Sequence, residues 1–280
     1  MDAHEAMRAA ELGEAMYMRE MWARADVTSR RALGLAAEDV GGGCVLVMAE
    51  DPTGGFWNRT IGMGITEPLS HDVVARIHAV VRRHGGQGTV FQVAPGADPD
   101  WWEDLLASTG AQPGIWWTKF AGDLSEGLAL PDVGTDLAIR PLEARHGEEF
   151  AHVMCTGFSM PTDSPLPAWF AQLPSWGDGF STYGAFDDDG TMVASAVLLV
   201  RGELASLCGA ATLPSHRGRG AQSGLMVRRI RDAEAAGARW VVTETGSETE
   251  ANPHNASLRN MRRVGLTELY QRRNHVWFAG

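Results

Sequence analysis

The 280 residues exceed one ordinary domain of roughly 100–200, and a 44% hydrophobic chain with 10 Trp and only 21% charged residues has enough apolar surface to fold throughout. A formal net charge of -11, with no clustered Lys/Arg footprint, argues against a nucleic-acid partner. No run approaches the ~18 apolar residues of a membrane span, and the acidic, amphipathic start MDAHEAMRAAELGEAM is not a signal peptide. The scattered Cys44, Cys155 and Cys208 suit reduced thiols, so the reading is a cytoplasmic protein with no membrane role.

In chain order, NRTIGMGI is a predicted strand that stops before Pro68, and Val73, Ile77, Val80, Val81 and His84 share one face of a helix. GTVFQVAP reads as a buried strand, DPDWWEDLLASTG as a short helix ending at Gly110, and IWWTKFAG as a strand. Residues 122–135, GDLSEGLALPDVGT, lack periodicity and read as a linker. Beyond it come a strand DLAIRP, a helix EARHGEEFAHVMCTGF, a broken helical stretch PLPAWFAQLPSW and a hairpin FSTYGAFDDDGTMVASAVLLV turning at Asp187-Asp188-Asp189-Gly190. LASLCGAAT then runs to Pro214, and Met226, Ile230, Ala233 and Gly237 share a helix face. The strand ARWVVTETG, the helix NASLRNMRRV ending at Gly265 and the strand ELYQRRNHVWFAG close the chain.

The last five of these elements repeat the order of the first five. Pro68, Ser70 and His71 at the first strand-to-helix corner match Pro214, Ser215 and His216 at the second. The chain therefore reads as an α/β duplication, with one copy over residues 1–121 and the other over 136–280. Neither the acidic turn at Asp187 nor His146 with Glu148 and Glu149 has ligand spacing, so no metal is expected.

Chemistry concentrates in Arg217, Gly218, Arg219, Gly220, Ala221 and Gln222, between a strand and a helix expected to begin near Ser223. Glycine lets backbone approach a phosphate, the free amides of the first helical turn point at it, and the dipole adds roughly half a positive charge. Two arginines add fixed charge. The same corner of the first copy reads Leu69-Ser70-His71-Asp72, with no glycine and an acid at the helix start, which repels an anion.

This segment resembles the pyrophosphate loop of the GNAT superfamily of acyl-CoA-dependent N-acyltransferases, Gln/Arg-x-x-Gly-x-Gly/Ala. Arg217 and Gly220 match, and Gln222 departs from the last position. The likeness spans about residues 136–278, and the chain resembles tandem members with a degenerate first copy. It implies mixed sheets flanked by helices, with parallel strands at residues 204–212 and 239–245 that splay to admit the pantetheine arm. It also implies acetyl-CoA as cosubstrate, Ala210, Ala211 and Thr212 beside the thioester, Arg217 to Ser223 beside the pyrophosphate, and Asn255, Ser257 and Asn260 on the family's later Asn-containing helix.

The acceptor is expected to be a small amine. Many members carry a Glu in the middle of the strand before the loop, but here only Glu203 is near, at that strand's edge, and Glu244 on the second splayed strand is the better placed base. The usual Tyr acid before the helix-ending glycine has no match in Met261-Arg262-Arg263-Val264, which leaves Tyr270 or solvent. Cys208 as an acyl carrier lacks an adjacent activating His. The first copy is expected to wall the acceptor pocket or pack against the second, with Trp101-Trp102 and Trp116-Trp117 as pocket or core residues. A non-catalytic CoA-binding protein and a protein acetyltransferase stay open, as does a homodimer.

Overall fold

The computed structural model of the chain describes residues 2–250 and 253–280. The first half runs α1 (Ala3–Arg24), α2 (Val27–Leu33), β1 (Leu35–Val40), β2 (Gly43–Met48), β3 (Arg59–Met63), α3 (His71–Arg83), β4 (Gly88–Val93), α4 (Trp102–Ser108) and β5 (Gln112–Asp123). The second runs β6 (Ala138–Pro141), α5 (Gly147–Gly157), α6 (Leu166–Phe170), β7 (Phe180–Phe186), β8 (Met192–Arg201), β9 (Leu204–Ser206), β10 (Ala210–Thr212), α7 (Ala221–Ala235), β11 (Trp240–Gly246), α8 (Ala256–Arg263) and β12 (Thr267–Phe278). Apart from the extra β6 and the break between β9 and β10, the two halves have the same order of helices and strands.

The strands form one mixed sheet in the order β1-β2-β3-β4-β12-β5-β11-β9-β8-β7-β6, with β10 beside β8. Each half contributes a parallel pair at the matching place, β3 with β4 and β9 with β11. The last strand of each half crosses over: β5 pairs with β11, β12 pairs with β4, and β5 and β12 pair with each other at the centre. The repeat read from the sequence thus takes the form of two half-sheets that exchange their final strands.

Strand alternation divides the core into layers. Along β2, Cys44, Leu46 and Met48 face a layer shared by α1, α2, α5 and α6, while Val45 and Val47 face the layer under α3 and α4. Along β8, Val197 and Leu199 face the shared layer, and Ala196 and Leu198 pack under α7 and α8. Trp22 of α1 meets Trp169 of α6 edge to face at 5.2 Å, so the shared layer joins the halves. Sequence periodicity did not reveal α1, α2, β1 or β2. Among the described residues no helix is long and apolar enough to cross a membrane.

Candidate functional site

Pairing between β9 and β11 ends at Ser206 opposite Val242, with one last bond from Leu207 N to Val242 O at 2.9 Å. Gly209 then adopts φ +71°, a left-handed conformation that glycine takes without strain, and redirects the chain. From there, among the described residues, β10 pairs with β8 alone and residues 243–246 with β5 alone. Two strand edges are left facing a gap, with Ala210, Ala211 and Thr212 on one side and Glu244 on the other. In the first half β3 and β4 pair again at Met63 opposite Val93 after a register shift beyond Thr60, so the two strands come back together where those of the second half part.

The gap leads into a groove of about 800 Å³ lined by Arg217, Gly218, Gly220, Ala221, Asn255 and Arg263, among others. Gly218 and Gly220 are both left-handed, at φ +85° and +80°. Gly220 is the N-cap of α7, which starts at Ala221, two residues earlier than expected, and no side chain caps it. The first-turn amides therefore lack the partner that a capping side chain would give them. At the matching helix start, Ser70 accepts a hydrogen bond from Val73 N at 3.2 Å and Asp72 occupies the first turn of α3. That helix has a side-chain cap and an acid where α7 has neither, so an anionic ligand is expected to find one such site per chain; a calorimetric titration with CoA that gave two equivalent sites per chain would contradict this.

The side chains around the groove are fixed in ways the sequence did not show. Arg217 is exposed and donates to Gly157 O at 3.1 Å. Arg219 is turned away from the groove lining and forks onto Asp136. Gln222 does not hang free: its amide donates to Ser257 Oγ at 2.8 Å and accepts from Asn260 Nδ2 at 2.7 Å, while Arg263 donates to Asn260 Oδ1. Asn255 caps α8 by accepting from Ser257 N, and donates to Gly246 O and Thr245 Oγ1, tying that helix to the end of β11. Ser223 is buried in the first turn of α7 yet lines the groove.

Adjoining the groove at Phe158, Ala210, Gln222 and Ser257 is a smaller cavity of about 190 Å³. Its wall includes Glu14, Arg59 and Glu244, the accessible side of a buried ionic cluster completed by Glu11, Lys119 and Arg272. Arg272 donates to Glu11 Oε2 at 2.8 Å and to Glu244 Oε2 at 2.9 Å, and Lys119 lies 3.1 Å from Glu244 and also bonds Glu14. Arg59 stands 3.9 Å from Glu14 and 3.8 Å from Glu244. Three acids meet three bases, so the cluster can be neutral, as burial of charge requires. Burial would raise Glu14, but Lys119 and Arg272 outweigh it and hold that carboxyl well below the usual range. Burial and the adjacent Glu14 charge push Glu244 the other way, up to about 7, against Lys119 and Arg272.

The other acid and base candidates lie elsewhere. Glu203 is exposed in the turn before β9, five residues and so roughly 15 Å of extended chain before Cys208, and does not line the cavity. Tyr270 donates to Glu11 at 2.6 Å and is likewise absent from the cavity wall. Tyr183 donates to Asp232. Tyr17 of α1, which sequence reading passed over, is the tyrosine that lines the cavity, and a Cβ placed on Gly209 would meet its hydroxyl at 3.1 Å. Burial raises its phenol far above the ordinary value, so it stays protonated. Burial also pushes the Cys208 thiol up to about 12, and Ser206 Oγ, not a base, is its neighbour at 2.9 Å. Of the tryptophan pairs, Trp102 packs in the first-half core with Trp101 against it, while Trp117 lines the cavity.

No family model matches the sequence, and no curated protein matches it. Solved structures do. A GCN5-related N-acetyltransferase from Kribbella flavida superposes with a TM-score of 0.61 at 15% identity, covering 97% of this chain and 96% of that one. A GCN5-related N-acetyltransferase from Sphaerobacter thermophilus gives 0.59 at 15% identity over 79% of this chain and 72% of its own. A tandem GNAT protein from the clavulanic acid biosynthesis pathway gives 0.55 at 13% identity, covering 100% of this chain and 97% of that one.

Proposed function

From a chain with the fold of the GCN5-related N-acetyltransferases, we propose an acyl-CoA-dependent N-acyltransferase that moves an acetyl group from acetyl-CoA to a small primary amine. Residues 136–280 hold the CoA and residues 1–121 are a copy without a phosphate site; of the segment read as the linker, 122–135, Gly122 and Asp123 belong to β5 and the rest joins the halves. The observation that carries this reading is the strand gap joined at its ends to an uncapped, glycine-bearing helix N-terminus and to a cavity with a carboxyl titrating near neutrality. The groove fits the pyrophosphate by chemistry: Arg217 and Arg263 on its wall, open amides at α7, and nothing within 4 Å of where a Gly218 side chain would stand.

Bound acyl-CoA would supply the activated thioester, whose C–S bond breaks as the new C–N bond forms. Glu244, poised near the working pH, takes the proton that the amine sheds. Tyr17, which burial keeps protonated, can donate its hydroxyl proton toward the departing sulfur, the part the sequence left to Tyr270 or solvent. The tyrosine's exchange for phenylalanine should lower turnover by about 10²-fold while CoA binding holds, at the low end of the 10²–10⁴-fold range for losing an acid or base. The decisive experiment follows free-thiol release from acetyl-CoA against a mixed amine panel. Amine-dependent release supports transfer; CoA binding without release from any amine identifies a non-catalytic CoA-binding protein instead.

A further inference from the structure

The acceptor cavity, about 190 Å³, is on the scale of the roughly 150 Å³ protein cavity that takes up benzene. It draws Tyr17, Phe56, Trp57 and Trp117 from the first half and Phe158 and Phe170 from the second, and five methionines fill the spaces between. Aromatic faces with adaptable thioethers around them suit a flat apolar body.

Polar recognition is confined to few groups, most of them committed. Arg229 spends its guanidinium on Leu225 O, Val197 O and Leu207 O. Arg59 donates to Phe56 O and Gln92 Oε1 and stands beside Glu14 and Glu244. Arg59 is held beside Glu14 and Glu244, and Arg229, only 1% exposed, has Nε and Nη1 on backbone carbonyls, so among the described residues neither offers an open two-pronged fork to a carboxylate of the acceptor. Ser257 and Thr245 each accept one bond, from Gln222 and Asn255, and keep one O–H to donate, so a polyhydroxylated ligand would find fewer polar partners here than it has hydroxyls. The indole N–H groups of Trp57 and Trp117 lack acceptors among the described residues, but two donors do not serve a sugar ring.

We propose that the acceptor is a primary amine on a single aromatic ring or an apolar body of that size, its nitrogen toward Glu14 and Glu244, and that α-amino acids and amino sugars bind more weakly. This rests on the acyl-transfer reading for the amine's role, and the ligand class rests on the cavity itself.

Binding separates the two. With the protein saturated with CoA, tryptophan fluorescence and calorimetry would follow titration with 2-phenylethylamine, phenylalanine and glucosamine. Phenylalanine differs from the first only by its carboxylate. The expected result is that 2-phenylethylamine binds at least about tenfold more tightly than either, a ratio worth one decade in Kd. Equal or tighter binding of phenylalanine or glucosamine, or no binding of 2-phenylethylamine, overturns the proposal. If the preference holds but no amine releases thiol, the ligand class stands and acyl transfer falls. If thiol is released with polar amines alone, acyl transfer stands and the ligand class falls.

Discussion

Exchanging Glu244 for glutamine lowers turnover by about 10²–10⁴-fold and leaves CoA affinity within a few-fold, the magnitude typical of a lost general base. Glutamine keeps the shape and can still accept from Arg272, which bonds Glu244 Oε2 at 2.9 Å, but it takes up no proton at neutral pH. The wild-type kcat/KM should rise as pH climbs through about 7, because the base works only after losing its own proton and burial beside Glu14 has moved that step up from the ordinary 4.5. The variant's profile should be flat there. Stability follows the same shift with the opposite sign. A carboxyl raised in the folded state stabilises it fully below its ordinary value and loses that contribution as pH rises through about 7, so Glu244→Gln should unfold no more easily than wild type at pH 8. Turnover within a few-fold of wild type across this range would reduce Glu244 to a member of the ion cluster, with the proton leaving through water.

Arg217→Glu should weaken CoA binding by about 10²-fold, since a hydrogen bond to a charged group is worth about 1.5–3 kcal/mol and reversal adds repulsion. The residue is exposed and its side chain bonds Gly157 O among the described residues, so folding should survive. Gly220 is a poorer test than the motif implies. At φ +80° a side chain there would be strained, and its Cβ would lie 2.8 Å from Gly134 O, so lost binding could reflect damaged structure. The remaining affinity of the Arg217 variant should depend less on ionic strength than that of wild type. Unchanged calorimetric affinity would remove the groove from consideration as the pyrophosphate site.

What the sequence by itself determined is local. Apolar spacing marked β3 to β5 and the elements from β6 to β12, because alternation and helical periodicity need only near neighbours. The glycines between strand and helix marked the α7 corner, and the lack of glycine with Asp72 at the helix start marked its counterpart as poor for an anion, because these signals lie within a few residues; the Ser70 cap itself came from the structure. The strand after Leu204 was readable, and the paired order of elements betrayed the repeat. Tertiary structure alone decided the rest. Glu11 and Glu14 sit on a helix the periodicity did not reveal, and only the exchange of β5 and β12 brings Lys119 and Arg272 beneath them. Tyr17 reaches Gly209 from the other half of the chain. Gln222 looks from the loop motif like an intruder on the pyrophosphate, yet α8 holds its amide at both ends. Glu244's shift toward neutrality comes from burial and from a carboxylate 230 positions earlier. Desolvation and Coulomb interaction depend on distance in space, and no pattern along the chain records it.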